Sequence, residues 1–194
     1  MNIDSITFTS VDIANLAASQ LTSDERGLLQ FSEVGGDAGE PAIFKFDGPL
    51  DIIEKLSLID LDIAALETAK KAKQESVNRL RDEKIASGFT FDFGGEVGVR
   101  TLDQRSEADA INWLGLKGIA DQLVADGSAS TLLSIRCSEN STFAVNASLI
   151  AQAITLMGVW RSQILSHSWH LKDRISECPD IRGVETFNVA TGWP

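Results

Sequence analysis

The stretch RDEKIASGFTFDF, residues Arg81 to Phe93, decides the reading of this chain. A charged helix ends in it and a strand begins at once. Gly88 can take the left-handed conformation that closes a helix. Beyond it, Phe89, Phe91 and Phe93 alternate with Thr90 and Asp92, so three rings point to one face of a strand. The stretch therefore marks a junction between a long helix and a β-containing module.

Upstream of the junction, residues 50–87 read as one long helix. Ile52, Leu56, Ile59, Ile63, Leu66, Lys70, Lys73, Val77, Leu80 and Lys84 are spaced alternately by four and three, the seam of a coiled coil. The seam is apolar in its first half and polar in its second. Two arrangements fit: a self-associating coiled coil, or one amphipathic helix packed on its own domain. In the first, Ile52, Leu56, Ile59, Ile63, Leu66, Val77 and Leu80 form an oligomer interface, and three strands are permitted.

Residues 1–49 read as a small β-rich docking module. The run Asn2–Thr9 alternates apolar with polar, Val34–Gly39 is a glycine-rich turn, and Ala42–Phe46 is a second strand closed by a turn at Asp47-Gly48-Pro49. Val11–Leu21 is a short helix or an irregular strand. Downstream, residues 88–194 read as an α+β domain. Phe89–Phe93 and Val97–Thr101 form a hairpin turned by Gly94-Gly95. A helix over Ser106–Ala125 is N-capped by Ser106, with Asp109 in the first turn. Its apolar set is Ala110, Ile111, Trp113, Leu114, Ile119 and Leu123. Strands at Ser130–Arg136 and Thr142–Val145 flank a turn at Glu139-Asn140-Ser141. Asn146 opens a last helix to about Glu177, with Ile150, Ile154, Met157, Trp160, Ile164, Leu165, Trp169 and Leu171 spaced for burial and Pro179 as its stop. Residues 180–194 read as an extended tail. The fold class is thus α+β: an N-terminal β-module, a long coiled-coil-like helix, and a C-terminal domain with a small antiparallel sheet and two helices.

Composition excludes several roles. The 194 residues include 17 Lys and Arg against 28 Asp and Glu, a net charge of −11. Nucleic-acid binding needs a basic surface, so it is not expected. No apolar run approaches a membrane span and no leader pattern opens the chain, so the expectation is a protein made in a cytoplasm without membrane insertion. The two cysteines, Cys137 and Cys178, read as reduced thiols, with a single disulfide as the alternative.

No constellation of catalytic residues stands out. Gly94-Gly95-Glu96-Val97-Gly98 has no helix opening behind it, so it is a hairpin turn and no phosphate cradle. His167, His170 and Asp173 share a helix face but offer too few ligands for a metal. Ser166-His167 and Cys178 with His170 lack the geometry of a nucleophile and its base. No catalytic residue, cofactor or metal is expected. Trp113, Trp160 and Trp169 read as core. Trp193, next to last, needs a surface to lie on, either the parent sheet or a neighbouring subunit.

From about Val77 to Pro194 the chain resembles a family of uncharacterised domains encoded among tail-fibre and baseplate genes of tailed phages. The residues that carry the likeness are Arg81-Asp82, the run IASGFTF at Ile85–Phe91, Arg100 with Asp103 and Arg105, the Ile135–Asn140 strand and turn, the Trp169–Ile175 helix end, and Gly192-Trp193-Pro194. The resemblance implies a structural, non-enzymatic component of a virion tail, a tail fibre or baseplate accessory protein. With the seam, the expected partners are other copies of the chain, up to a trimer, other tail or baseplate proteins, and a host surface receptor. The rival roles are a fibre-assembly chaperone absent from mature virions, and a hydrolase of host glycan or peptidoglycan.

Overall fold

The computed structural model describes residues 3–35 and 42–194. The chain divides into two compact units, Met1–Ala72 with Pro179–Glu185, and Lys73–Cys178 with Thr186–Pro194. The fold is α+β, as the patterning predicts.

The first unit is built on a three-stranded antiparallel sheet in the order β1-β3-β2, with β1 at Ile3–Phe8, β2 at Gln30–Val34 and β3 at Ile43–Pro49. Between β1 and β2 lie α1 (Val11–Ser19) and α2 (Ser23–Gly27). The segment Val11–Leu21 is therefore a helix, N-capped by the Ser10 hydroxyl. Aromatic rings make one face of the sheet: Phe46 meets Phe8 edge to face at 6.1 Å and Phe31 at 5.1 Å. Ala14, Ala17, Leu21, Ile52, Ile53 and Leu56 complete that core.

Three expectations for this unit need correction. The segment Asp47-Gly48-Pro49 is no turn; it continues β3, with Gly48 opposite Asp4 and Pro49 opposite Ile3. The glycine serves close approach, since a Cβ at Gly48 would stand 2.7 Å from Leu29 Cδ2 and 3.3 Å from the Leu28 carbonyl oxygen. Second, β2 was not foreseen. Of the expected turn Val34–Gly39, Val34 ends β2 and Gly35 has φ +84°; the remainder, like Asn2, lies outside the described residues. Third, residues 50–87 are two helices, α3 (Leu50–Ser57) and α4 (Leu61–Ala86). The break is capped: Asp60 Oδ1 accepts from the backbone N–H groups of Asp62 and Ile63, both at 3.1 Å. An aspartate just before the first helical residue starts a new helix more readily than it continues an old one.

Helix α2 opens with a capping box in which Thr22 and Glu25 exchange hydrogen bonds, and Lys55 Nζ also donates to Glu25. The Lys55 ammonium, then the Thr22 backbone N–H and hydroxyl, lower the Glu25 carboxyl from its ordinary 4.5 to about 2. A carboxyl whose folded pKa is depressed stabilises the fold above its unfolded value and loses that contribution as pH falls. The window runs from pH 4.5 down to about 2. An NMR titration of the Glu25 carboxyl should therefore give a midpoint far below its neighbours, and Lys55→Gln should return most of the shift. A midpoint at the ordinary value in the unsubstituted chain would refute the pairing.

In the second unit, α4 runs into the junction quoted above. Gly88 has φ +81°, as expected of a residue that ends a helix and starts a strand. Strands β4 (Phe89–Asp92) and β5 (Val99–Leu102) pair antiparallel with Phe91 opposite Arg100. Helix α5 (Glu107–Ala125) begins with the Ser106–Asp109 capping box. Strands β6 (Leu132–Arg136) and β7 (Thr142–Asn146) form a second hairpin, turned at Asn140 with φ 66°. Helix α6 (Ala147–Ser176) follows directly. The strands make two separate hairpins, and the Ser138 N–H of the second donates to the Thr101 carbonyl of the first at 3.0 Å. Phe93, Leu102, Trp113, Ile135, Val145, Ile150 and Met157 lie in the shared core, with Phe89 and Phe91 packed against it. The three rings of the opening motif thus do point to one face. After α6 the chain is not simply extended, because Ile181–Thr186, all but its last residue counted with the first unit, forms a short helix, α7.

Candidate functional site

The residues of the expected coiled-coil seam have different fates. Ile52 and Leu56 are buried in the core of the first unit and Ile59 packs on it. Val77 is fully buried in the second unit, in a cluster with Leu171 and Ile175 of α6. Leu66 and Leu80 are half-buried, and Ile63 is 61% exposed. The structure does not bring the seven residues onto one open face.

Trp193 has found its surface. It joins Phe187 and Val189 against the cluster of Val77, Leu171 and Ile175, and its ring meets His167 edge to face at 4.8 Å. Its indole N–H donates to the Val189 carbonyl at 2.9 Å, and His167 Nε2 lies 3.1 Å from the Thr191 carbonyl oxygen. Gly192 makes this possible: it has φ +85°, and a Cβ there would stand 2.9 Å from the His167 ring. The surface is a helix-borne patch of the same chain. The parent sheet, one of the two expected alternatives, is not what it lies on. His167 is thereby spent on closing the tail. Among the described residues no group of three His, Cys, Asp or Glu side chains is placed to hold a metal ion.

Two helices expose apolar residues that spacing had assigned to the core. On α5, Trp113, Leu116, Ala120 and Leu123 face inward, while Ile111, Leu114 and Ile119 are 68%, 72% and 54% exposed. The Trp113 indole decides this rotation, because its N–H donates to the Asp103 carbonyl at 2.7 Å and the ring must lie inward to reach it. On α6 the buried line runs through Ile164, Ser168, Leu171 and Ile175. Ser168 occupies the buried position by returning its hydroxyl to the Leu165 carbonyl at 2.7 Å. Trp169, expected in the core, is instead 58% exposed. Trp160 is half-buried, its ring 5.7 Å from that of Phe89.

A cleft of about 420 Å³ opens between α5 and the β6–β7 hairpin, lined by Asp103, Arg105, Asp109, Trp113, Arg136 and Cys137 among others. Several of its polar groups are engaged with one another. Arg105 pairs with Asp103 at 2.6 Å, Asp109 accepts from the backbone of Arg105 and Ser106, and Arg136 Nε donates to Asn140 at 2.6 Å. Burial, then the Glu139 carboxylate, pushes the Cys137 thiol up to about 11. It is protonated at neutral pH and a poor nucleophile. Both cysteines are free thiols. Among the described residues no helix is long and apolar enough to cross a membrane.

Residues 68–190 match a domain family described as a domain of unknown function. No curated protein and no solved structure matches the chain.

Proposed function

Because the chain belongs to the DUF4376 family, which names no activity, we propose its role from its residues: a structural, non-enzymatic component of a phage tail tip, a tail fibre or baseplate accessory protein. In this reading the N-terminal region attaches to other tail proteins. The C-terminal unit serves assembly or contact with a host surface receptor.

The observation that carries the proposal is the use to which the phage-like motif residues are put. Gly88 turns the junction, and Asp103 anchors Trp113 through its carbonyl. Arg100 lies 4.3 Å over the Phe143 ring and pairs with Glu139 at 3.2 Å. Gly192 and Trp193 clamp the chain end on His167. Each has an architectural task, which favours a binding and assembly module over an enzyme. The exposed Trp169, Ile111 and Leu114 give such a module anchors of the kind that dominate protein interfaces. Self-association, up to a trimer, belongs to the proposal. It is drawn from exposed residues such as Ile63, since Ile52, Leu56 and Val77 are used within the fold.

Mass spectrometry of purified virions of the encoding phage tests the reading. The chain should be present in stoichiometric copies, and light scattering should show an oligomer. Trp169→Ala should leave the melting temperature nearly unchanged, as surface substitutions shift stability within about 0.5 kcal/mol. It should nevertheless lower incorporation about tenfold or more, as loss of an aromatic anchor does. A chain missing from virions or substoichiometric in them would transfer the proposal to a fibre-assembly chaperone. Turnover of host glycan or peptidoglycan, abolished by one carboxylate substitution, would replace it with the hydrolase.

A further inference from the structure

A second cleft in the C-terminal unit, of about 590 Å³, is lined by Ile85 and Ala86 at the end of α4, Gln104, the first turn of α5 with Ala110 and Ile111, and Arg161 of α6. Among the described residues three arginines are half-buried: Arg81, Arg100 and Arg161. The first two face carboxylates, Asp82 at 2.8 Å and Glu139 at 3.2 Å. Among the described residues Arg161 has only a neutral partner, its Nη1 donating to Gln104 Oε1 at 3.1 Å. A guanidinium taken partly out of water beside apolar groups calls for an anion.

Gln104 supplies an independent sign. Its side chain is only 6% exposed, and its Nε2 has no hydrogen-bond partner among the described residues. Arg161 fixes the amide's orientation, since the oxygen must face the guanidinium. The N–H₂ is therefore a buried donor in the wall of the cleft, a state proteins rarely leave unmatched. The cleft also receives the opening of α5, where the Ser106–Asp109 capping box leaves other first-turn N–H groups available to an acceptor. Ile85, Ala86, Ala110 and Ile111 add apolar surface to the lining. Asp82, held by Arg81, and Glu107 stand among the lining residues and disfavour a multiply charged anion such as phosphate.

We propose that this cleft binds a single carboxylate carried on an aliphatic body, with Arg161 as its counter-ion, Gln104 as the residue that positions Arg161 and adds a donor after a small rotation of its amide, and Ile85 and Ile111 against the aliphatic part. The ligand is a free aliphatic acid or the C-terminal residue of a polypeptide. The inference does not depend on the tail reading.

Methyl and guanidinium NMR on the intact chain tests it with three probes: 4-methylpentanoate, an acetylated Gly-Ser-Leu peptide with a free carboxylate, and the same peptide amidated. Saturable shifts of Ile85, Ile111 and Arg161 are expected with a carboxylate probe. Binding should weaken about tenfold or more on amidation and in Arg161→Gln. Ile111→Glu, at an exposed position that should not disturb folding, should weaken it as well. Binding of both carboxylates assigns the site to small acids, and binding of the peptide alone assigns it to a chain end. No saturable shift with either at roughly 10 mM overturns the proposal. So does affinity that is unchanged by both amidation and substitution.

Discussion

Replacing Val77 with aspartate should unfold the second unit's α4–α6 cluster and cost about 4 kcal/mol, close to the whole stability of a marginal domain. Val77 is 0% exposed and meets Leu171, Ile175 and the tail residues around Trp193. Losing its apolar contacts removes about 1.5–3 kcal/mol. Placing a carboxylate among these aliphatic and aromatic side chains adds the cost of burying a charge, and the nearby Arg174 guanidinium is already stacked over the Phe187 ring at 5.1 Å. Urea unfolding followed by tryptophan fluorescence checks this, with Ile63→Asp as the control. Ile63 comes from the same expected seam but is 61% exposed, so its substitution should change stability by less than about 0.5 kcal/mol. A coiled-coil seam would behave differently: both substitutions would dissociate an oligomer and leave the folded subunit intact. The contrast between the two positions therefore separates packing of Val77 within the fold from one seam shared by Val77 and Ile63, and leaves self-association through exposed residues to light scattering.

What the sequence made legible was local. The end of α4 at Gly88, the Ser106 cap with Asp109 and the turn at Asn140 each depend on neighbours within a few residues, and each stands where it was expected. What was illegible depends on partners far along the chain. Gly48 looked like a turn residue because glycine next to proline usually is one. Only the approach of Leu28 and Leu29 reveals it as a strand position that has no room for a side chain. Strand β2 carries little alternation of its own and is held by Phe31 against Phe44 and Phe46. On α5 the expected set mixed two faces, and on α6 Trp169 was placed in a buried line that otherwise holds, with Ile150, Ile154, Met157, Ile164 and Leu171 buried as expected, for a similar reason. Spacing treats every apolar residue alike. The Trp113–Asp103 hydrogen bond and the inward hydroxyl of Ser168 choose which of two plausible stripes is buried. The candidate surfaces follow from those choices. Trp169 and Leu114 could not have been recognised as exposed before the rotation of their helices was known. For the second cleft, Arg161 and Gln104 gave no signal at all, being 57 residues apart.

Gly88→Val should be the most damaging single change at the junction, destabilising the second unit by about 4 kcal/mol. Two costs add. The backbone sits at φ +81°, a region that β-branched residues avoid, and a Cβ would stand 2.7 Å from both the Leu102 carbonyl oxygen and Thr101 Cγ2. Gly94→Ala separates them. Gly94 has φ +71° with nothing within 4 Å of a built Cβ, so it should lose only the conformational part, about 1–2 kcal/mol. Thr101 tests the steric part further. Thr101→Ser removes Cγ2 while keeping the hydroxyl that lies 3.2 Å from Thr90 Oγ1. Placed together with Gly88→Ala, it should recover only part of the loss, because the Leu102 carbonyl belongs to β5 and cannot withdraw without breaking the pairing of Phe89 with Leu102. Fluorescence of Trp160, whose ring lies 5.7 Å from that of Phe89, reports the same strand directly. Full recovery in the double variant would mean that the helix-to-strand junction is set by the methyl contact alone and that the close backbone approach can relax.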